Sequence, residues 1–153
     1  MDVVALVLAT ILLACGSIYL GTAVTLVFFL FPIQPELTPA TYKLPFVSPV
    51  QAAVRFFTPM TIVMLLAAVG LIVLELGSAY WISPAAFLVL TIAATLLTTR
   101  LIFPHNQRME EGIADPSELQ SELTIWRRLN TWRGVVWAAE WVAIAAWFAG
   151  RAA

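Results

Sequence analysis

Long stretches without charge recur along the chain and indicate membrane-spanning helices. Residues 3–31 contain no charged side chain, and about 20 apolar residues suffice to cross the hydrocarbon core of a bilayer. Further apolar segments cover about residues 56–75, 84–100 and 134–150. Such segments must be helical in lipid, because every backbone polar group needs a partner. The pattern predicts an all-α fold, a four-helix transmembrane bundle forming one domain over residues 1–153.

The overall composition narrows the class of protein further. Hydrophobic residues make up 61% of the chain and charged residues 11%, and the mean hydropathy is +0.92. Soluble domains contain about a quarter charged residues, so a soluble domain and a disordered chain are both excluded. The net charge of -1 leaves no basic surplus to neutralise phosphates, which argues against nucleic acid as a partner. A small integral membrane protein, with the lipid bilayer as its surroundings, fits these values.

The basic residues are distributed unevenly and predict an orientation. The two segments that join spans one to two and three to four hold nearly all of them: Lys43, Arg55, Arg100, Arg108, Arg127, Arg128 and Arg133. Arg151 is the exception. Cytoplasmic segments carry the excess of Lys and Arg. We therefore expect a multi-pass protein of the plasma or inner membrane, with both long connections in the cytoplasm and both termini outside.

The two long connections differ in character. The first, residues 32–49, contains five prolines and should resist a regular helix, because proline lacks an N–H donor. We expect an ordered loop at the membrane interface there, with a plain linker as the alternative. The second contains Asp115-Pro116-Ser117-Glu118, a typical helix start. One long last helix, extending out of the membrane, is predicted from Pro116 through the fourth span.

Polar residues of the last helix fall on one side of it. At 100° per residue, one stripe of about 80° contains Trp126, Asn130, Arg133, Trp137 and Glu140. Charged groups in lipid are costly and normally face the bundle interior. The stripe therefore predicts a polar wall inside the bundle. It suits a ligand or catalytic site, and it equally suits a structural network in which Glu140 is neutralised by an arginine.

The third span offers a matching surface. Its threonines at positions 91, 95 and 98 share one face, and the span is predicted to end at Arg100. We expect Asn106, Arg100 or Arg108, which lie on the cytoplasmic side, to approach Asn130, Arg133 and Glu140. The candidate ligand-binding residues are Thr98, Arg100, Asn106, Trp126 and Trp137.

Other reactive side chains are few. His105 is the only histidine and Cys15 the only cysteine, so we expect no disulfide and no metal site. Glu75, at the outer end of the second span, is interpreted as a solvated end charge.

Two short segments resemble a known family. Pro104 and Asn106 follow the third span, and Trp126-Arg127-Arg128-Leu129-Asn130-Thr131-Trp132-Arg133 leads into the fourth. This pattern resembles the anthrone-oxygenase-like family of four-helix membrane proteins. The resemblance implies a protein that oxidises anthrones to anthraquinones with O₂, without metal or flavin. By position, it implicates Asn106, Trp126, Asn130 and Arg133.

Two functions of different classes follow. The first is a cofactor-independent oxygenase of a flat lipophilic phenol, in which Asn106, Asn130 and Arg133 stabilise the ring oxyanion. Glu140 or His105 would then be the base. The second is a non-catalytic subunit of a larger membrane complex, or a carrier of a lipophilic ligand, alone or as a homo-oligomer. An enclosed pocket beside Asn106, Asn130 and Arg133 would favour the first.

Overall fold

The computed structural model describes residues 2–152, and no strand occurs in that range. This confirms the predicted all-α class. The predicted domain also includes Met1 and Ala153, which lie outside the described residues. The five α-helices are α1 (Val3–Thr25), α2 (Lys43–Glu75), α3 (Ile82–Leu97), α4 (Phe103–Glu111) and α5 (Pro116–Ala152).

Short turns of other helical types extend these helices into longer rods. Three continuous rods are long and apolar enough to cross a membrane: Val3–Glu36, Lys43–Glu75 and Ala79–Glu111. The last helix, α5, is not among these three rods, so its crossing of the membrane stays a prediction. Its continuity over 37 residues confirms the predicted long last helix.

The rods form a bundle in which α1 and α3 each pack against both α2 and α5. Two apolar clusters hold it together. The first lies among α1, α2, α3 and the second half of α5 and includes Leu12, Met64, Phe87 and Ile144. The second lies towards α4 and the start of α5 and includes Tyr42, Phe46, Met109, Leu123 and Trp126.

Two of the rods widen into a π-helical turn at a corresponding point of their sequence. The turns cover Leu26–Leu30 and Thr98–Ile102, and a Phe-Pro pair follows each, at 31–32 and at 103–104. Proline offers no N–H and its ring crowds the carbonyl four residues earlier. A wider turn, with bonds five residues apart, relieves that conflict.

The second π-turn corrects a predicted boundary. The third span was expected to end at Arg100, but the helix passes through the turn and continues as α4 to Glu111. His105 and Asn106 therefore lie on a helix and not in a loop. The reason is that the wider turn directly before Phe103 accommodates Pro104, so the helix is not broken there.

The expectation of a loop over residues 32–49 is wrong for its second half. A 3₁₀ helix covers Phe31–Glu36, and α2 begins at Lys43, well before residue 56. Pro45 lies in the first turn of α2, where backbone N–H groups lack helical partners anyway. Pro49 lies inside the helix, which loses a single backbone bond there.

Helix α5 starts at the predicted position. The Asp115 Oδ1 accepts hydrogen bonds from the backbone N–H groups of Ser117 at 2.7 Å and Glu118 at 3.3 Å, as an N-cap residue does. Its first two turns hold α4 through polar pairs. Glu118 accepts a bond from Arg108 Nε at 3.1 Å, and the Glu122 Oε2 lies 2.5 Å from His105 Nδ1.

Candidate functional site

A cavity of about 580 Å³ lies inside the bundle, with walls from all four long helices. Residues of both apolar clusters line it, including Met64 from the first and Phe46 from the second. The cavity therefore lies between the two apolar clusters. Binding pockets for small organic molecules measure about 300–1,000 Å³ and are mostly apolar with few polar groups. The cavity meets both criteria.

The polar stripe of α5 forms one wall of this cavity. Trp126, Asn130, Trp137 and Glu140 are buried, Arg133 is half-buried, and all five line the cavity. The predicted inward orientation of the stripe is confirmed. The cause is the helical period, which brings these positions to one side of an unbroken helix.

Hydrogen bonds link the stripe to the third rod. The Trp126 indole N–H donates to Asn106 Oδ1 at 2.8 Å, and the Asn130 amide donates to the Trp126 carbonyl at 2.8 Å. Arg133 donates to Asn130 Oδ1 and, more weakly at 3.4 Å, to Thr98 Oγ1. This series of hydrogen bonds holds the guanidinium of Arg133 at the cavity wall. Asn106 also lines the cavity, and its amide nitrogen donates to no residue in 2–152.

An aromatic surface continues from Arg133. Its guanidinium carbon lies 4.5 Å from the centroid of the Trp137 ring. Tyr19 lies against Trp137 at 4.7 Å between centroids and is stacked on Phe57 at 4.8 Å. The Tyr19 hydroxyl is 2.6 Å from Thr61 Oγ1. The ring planes of Tyr19 and Trp137 are inclined by 46°, so these rings form an aromatic wall of the cavity and not a single flat surface.

Sequence reasoning missed the contribution of Tyr19, Phe57 and Thr61. The available signal was that Tyr19 is the one tyrosine in the first apolar stretch. Nothing in the sequence indicated that residues 57 and 61, on another helix, would lie against it.

Glu140 is the most unusual group in the cavity wall. Only 1% of its surface is exposed, and neither carboxylate oxygen has a hydrogen-bond partner among residues 2–152. The nearby Thr91 hydroxyl donates to the Phe87 carbonyl instead. Buried polar groups are nearly always partnered, and an isolated buried carboxylate is very costly. Glu140 is therefore placed to exchange a proton or a hydrogen bond with a molecule in the cavity.

The structure does not bring every candidate residue to this place. Thr98, Asn106, Trp126, Asn130, Arg133, Trp137 and Glu140 line the cavity, whereas His105 and Arg100 do not. His105 is paired with Glu122 where α4 meets α5. Arg100 is exposed and Arg108 pairs with Glu118, whereas Asn106 contacts the stripe through Trp126.

The cavity reaches the outer surface of the bundle on one side. Pro49, Val54, Thr58 and Ile62 of α2 and Thr99 of the third rod line the cavity and are exposed. These five residues are called the lateral opening below. They come from two neighbouring rods.

Glu75 has a different role from the one expected. It is not a solvated end charge, since only 3% of it is exposed and Arg151 is its ion-pair partner. The Trp147 indole N–H and the Ser78 hydroxyl donate to the same carboxylate, at 3.2 and 3.0 Å. This cluster closes the end of the bundle away from α4.

The part of the chain that the structure describes contains no group of three His, Cys, Asp or Glu placed to hold a metal ion. Cys15 is half-buried in α1 with a free thiol. A molecule bound in the cavity would meet Asn106, Arg133 and Glu140 as its polar partners.

Comparisons with protein-family models, curated proteins and solved structures find nothing that matches this chain.

Proposed function

We propose that this chain is an integral membrane protein that binds a flat lipophilic molecule in the cavity and oxidises it with O₂. The reaction would be the cofactor-independent oxygenation of an anthrone-like phenol, as the resemblance of residues 104–106 and 126–133 implies. The observation that carries the proposal is Glu140, a buried carboxyl without a partner, in the same cavity as Arg133. A base and a group that stabilises an oxyanion thus line one apolar chamber.

The first step is removal of a proton from the substrate. Glu140 takes the acidic C–H proton, and the resulting negative charge spreads to the ring oxygen. Arg133 stabilises that oxygen, and Asn130, whose Oδ1 accepts from Arg133, holds the guanidinium in place. Donors fixed before the reaction stabilise developing charge most effectively in a site that excludes water. The free amide nitrogen of Asn106 supplies a further donor.

The second step consumes O₂. One electron passes from the carbanion to O₂, and the two radicals combine to form a hydroperoxide anion. The proton held by Glu140 returns to that anion, and loss of water leaves a carbonyl group. In sum, a CH₂ group and O₂ become C=O and H₂O, so Glu140 ends in its starting state and no other oxidant is needed.

A carrier of a lipophilic ligand, or a non-catalytic subunit of a membrane complex, is the second candidate. The observation in its favour is the mutual satisfaction of Asn106, Trp126 and Asn130 by hydrogen bonds. The same series of hydrogen bonds would also be present in a purely structural network. In that case the protein would bind the flat ligand without converting it, or it would co-purify with partner chains.

We further propose that the protein resides in the plasma or inner membrane with both long connections in the cytoplasm. The basic residues between α1 and α2 and between α3 and α5 support this orientation. The lateral opening would then lie in the cytoplasmic half of the bilayer. A substrate dissolved in that leaflet could enter directly.

Turnover of anthrone by the purified protein in lipid nanodiscs tests the enzymatic proposal. We expect O₂ uptake and quinone formation in a one-to-one ratio, faster than the spontaneous oxidation. Glu140→Gln and Arg133→Gln should each reduce the protein-dependent rate by about 100-fold or more, the usual scale for a base or an oxyanion donor.

Exposed residues of the same types provide matched controls. Glu36→Gln and Arg127→Gln change side chains that are exposed and line no cavity, so both should leave the rate unchanged. If the wild-type protein binds the ligand but adds nothing to the spontaneous rate of oxidation, the protein is a ligand carrier and the enzymatic proposal is wrong. If Glu140→Gln and Arg133→Gln retain the full rate, the assigned roles are wrong.

A further inference from the structure

Glu140 is a buried group whose hydrogen-bonding capacity the protein leaves unused. It is the one acidic residue among the described residues that line the cavity, and neither of its oxygens has a hydrogen-bond partner within residues 2–152. A buried carboxyl group without a partner costs free energy, most of all when it is ionised. A ligand that donates hydrogen bonds to Glu140 would remove this cost.

The threonines of the cavity wall add further acceptors and no donors. Each of their hydroxyl groups donates its one proton to the backbone carbonyl four residues earlier and keeps its lone pairs. This holds for every threonine among the described residues that line the cavity, namely Thr22, Thr58, Thr61, Thr91, Thr95, Thr98 and Thr99. The wall around Glu140 therefore suits a ligand group that only donates.

Arg133 lines the same cavity but does not act as the counter-ion of Glu140. Its guanidinium donates to Asn130 and Thr98 and lies against the Trp137 ring. The two residues are seven positions apart on α5, about 10 Å along the helix axis. Because the interaction of two charges falls with their distance, a cation about 3 Å from Glu140 is attracted roughly three times as strongly as a charge about 10 Å away repels it.

We propose that the cavity binds a lipophilic primary amine whose ammonium group donates to Glu140 and to the Thr91 hydroxyl. Thr91 lies near Glu140, is buried and lines the cavity. An ammonium group has three N–H donors and no acceptor, which matches two carboxylate oxygens and one hydroxyl oxygen. The inference goes beyond the proposed oxidation, because the amine binds without O₂. By pairing with Glu140, it also withholds the proposed base from a substrate.

Two fluorescent probes with one ring system test this assignment. They are 9-(aminomethyl)anthracene, as its ammonium ion at neutral pH, and the neutral 9-anthracenemethanol. Binding to the full chain in phosphatidylcholine nanodiscs is measured by energy transfer from the tryptophans, and partitioning into the lipid is subtracted with empty nanodiscs. We expect the amine to bind at least about tenfold more tightly than the alcohol, the scale of a charge-assisted hydrogen bond.

Substitutions at the two acceptors locate the effect. Glu140→Gln should remove the preference for the amine and keep binding of the alcohol, whereas Glu36→Gln, at an exposed position outside the lining, should keep the preference. Thr91→Val preserves the shape of the side chain and should reduce the preference about threefold. Thr95→Val, one turn further along α3, is its matched control and should not. Loss of the preference in Glu36→Gln, or its retention in Glu140→Gln, would overturn the proposal.

Further outcomes separate this inference from the proposed function. Equal affinity of the wild type for amine and alcohol, or tighter binding of 9-anthracenecarboxylate than of the amine, overturns the amine site alone. Absence of binding of every probe overturns binding of lipophilic molecules in the cavity as well. A retained preference for the amine without turnover of anthrone supports the amine site and contradicts the oxidation.

A last arm distinguishes a free amine from the ammonium group of a lipid. Phosphatidylethanolamine in the nanodiscs should leave the affinity for the amine probe unchanged if the ligand is a free amine. Competition by this lipid in the wild type that disappears in Glu140→Gln would assign the site to a headgroup and overturn the free amine as its ligand.

Discussion

Arg151, in the last turn of α5, donates hydrogen bonds to the carboxylate of Glu75 at the end of α2. The guanidinium carbon of Arg151 also lies 4.2 Å from the centroid of the Tyr80 ring. One ion pair therefore joins helices that are distant in sequence and closes the end of the bundle away from the lateral opening.

Removing Arg151 should destabilise the protein. Arg151→Ala leaves the Glu75 carboxylate buried with only Ser78 and Trp147 as partners, and an uncompensated buried charge is costly. We expect a lower melting temperature in detergent, with Glu75→Gln having a smaller effect because its side chain still accepts from Trp147. Glu36→Gln, an exposed carboxyl, is the control. An unchanged melting temperature for Arg151→Ala would show that the pair does not stabilise the bundle.

Close contact of α1 with α5 should make Gly134 sensitive to size. A Cβ atom at position 134 would lie 3.2 Å from the Cβ of Ala23, whereas one at Gly21 would meet nothing within 4 Å. Gly134→Leu should therefore cost about 1–3 kcal/mol through overpacking, measured by denaturation in mixed micelles. Gly21→Leu should change stability little. Equal effects of the two substitutions would contradict the close helix contact.

Tyr19 should determine the affinity for flat ligands. Its ring contacts Phe57 and Trp137 and belongs to the aromatic wall of the cavity. Tyr19→Ala should weaken binding of a neutral anthryl alcohol in the cavity by roughly three- to tenfold, the scale of one aromatic contact. Tyr19→Phe keeps the ring, loses the contact with Thr61, and should bind nearly as well as the wild type. If Tyr19→Phe weakens binding as much as Tyr19→Ala does, the hydroxyl group of Tyr19 and not its ring determines the affinity.

Asn106 and Trp126 should be coupled energetically. Asn106→Ala leaves the indole N–H of a residue that is only 2% exposed without its acceptor. We expect a cost of about 1–3 kcal/mol and a coupling of about 1 kcal/mol in a cycle with Trp126→Phe. Gln107→Ala, at an exposed neighbouring position, should have little effect. Additive losses in the cycle would mean that the bond contributes nothing.

The start of α5 should weaken in acid. The Ser117 hydroxyl, followed by the backbone N–H groups of Ser117 and Glu118, lowers the pKa of Asp115. A lowered pKa in the folded state contributes stability above the unfolded value of about 3.9, and that stability is lost as the pH falls through the folded pKa. Hydrogen exchange of the Ser117 and Glu118 amides should therefore accelerate, relative to the intrinsic rate, below about pH 4.

Asp115→Asn serves as the control for the acid effect, because asparagine also caps helices and does not titrate in this range. Its exchange protection should be independent of pH in that window. If the wild type and Asp115→Asn respond to acid alike, another group controls the start of α5.

Local features of the structure follow from short-range rules and could be read from the sequence. The cap at Asp115 depends on the next three residues. The common face of Asn130, Trp137 and Glu140 depends only on the helical period, once α5 is unbroken. Apolar length likewise indicated the helical rods, although the π-turn after Leu97 and the helical start at Lys43 extended two of them beyond the predicted ends.

The partners of those residues were decided by tertiary packing. Glu75 is buried because Arg151 and Trp147 of another helix reach it, and Tyr19 belongs to the cavity because Phe57 and Thr61 lie against it. His105 pairs with Glu122 and Arg100 is exposed, and both outcomes depend on how the third rod packs against its neighbours.

The sequence by itself therefore determined that the chain is helical, which segments are apolar and which side of α5 carries the polar groups, because all of these depend on neighbours a few positions away. The tertiary structure alone decided where the cavity opens, which groups meet inside it and which remain at its edge, because contacts between helices depend on how whole rods tilt, widen and pack.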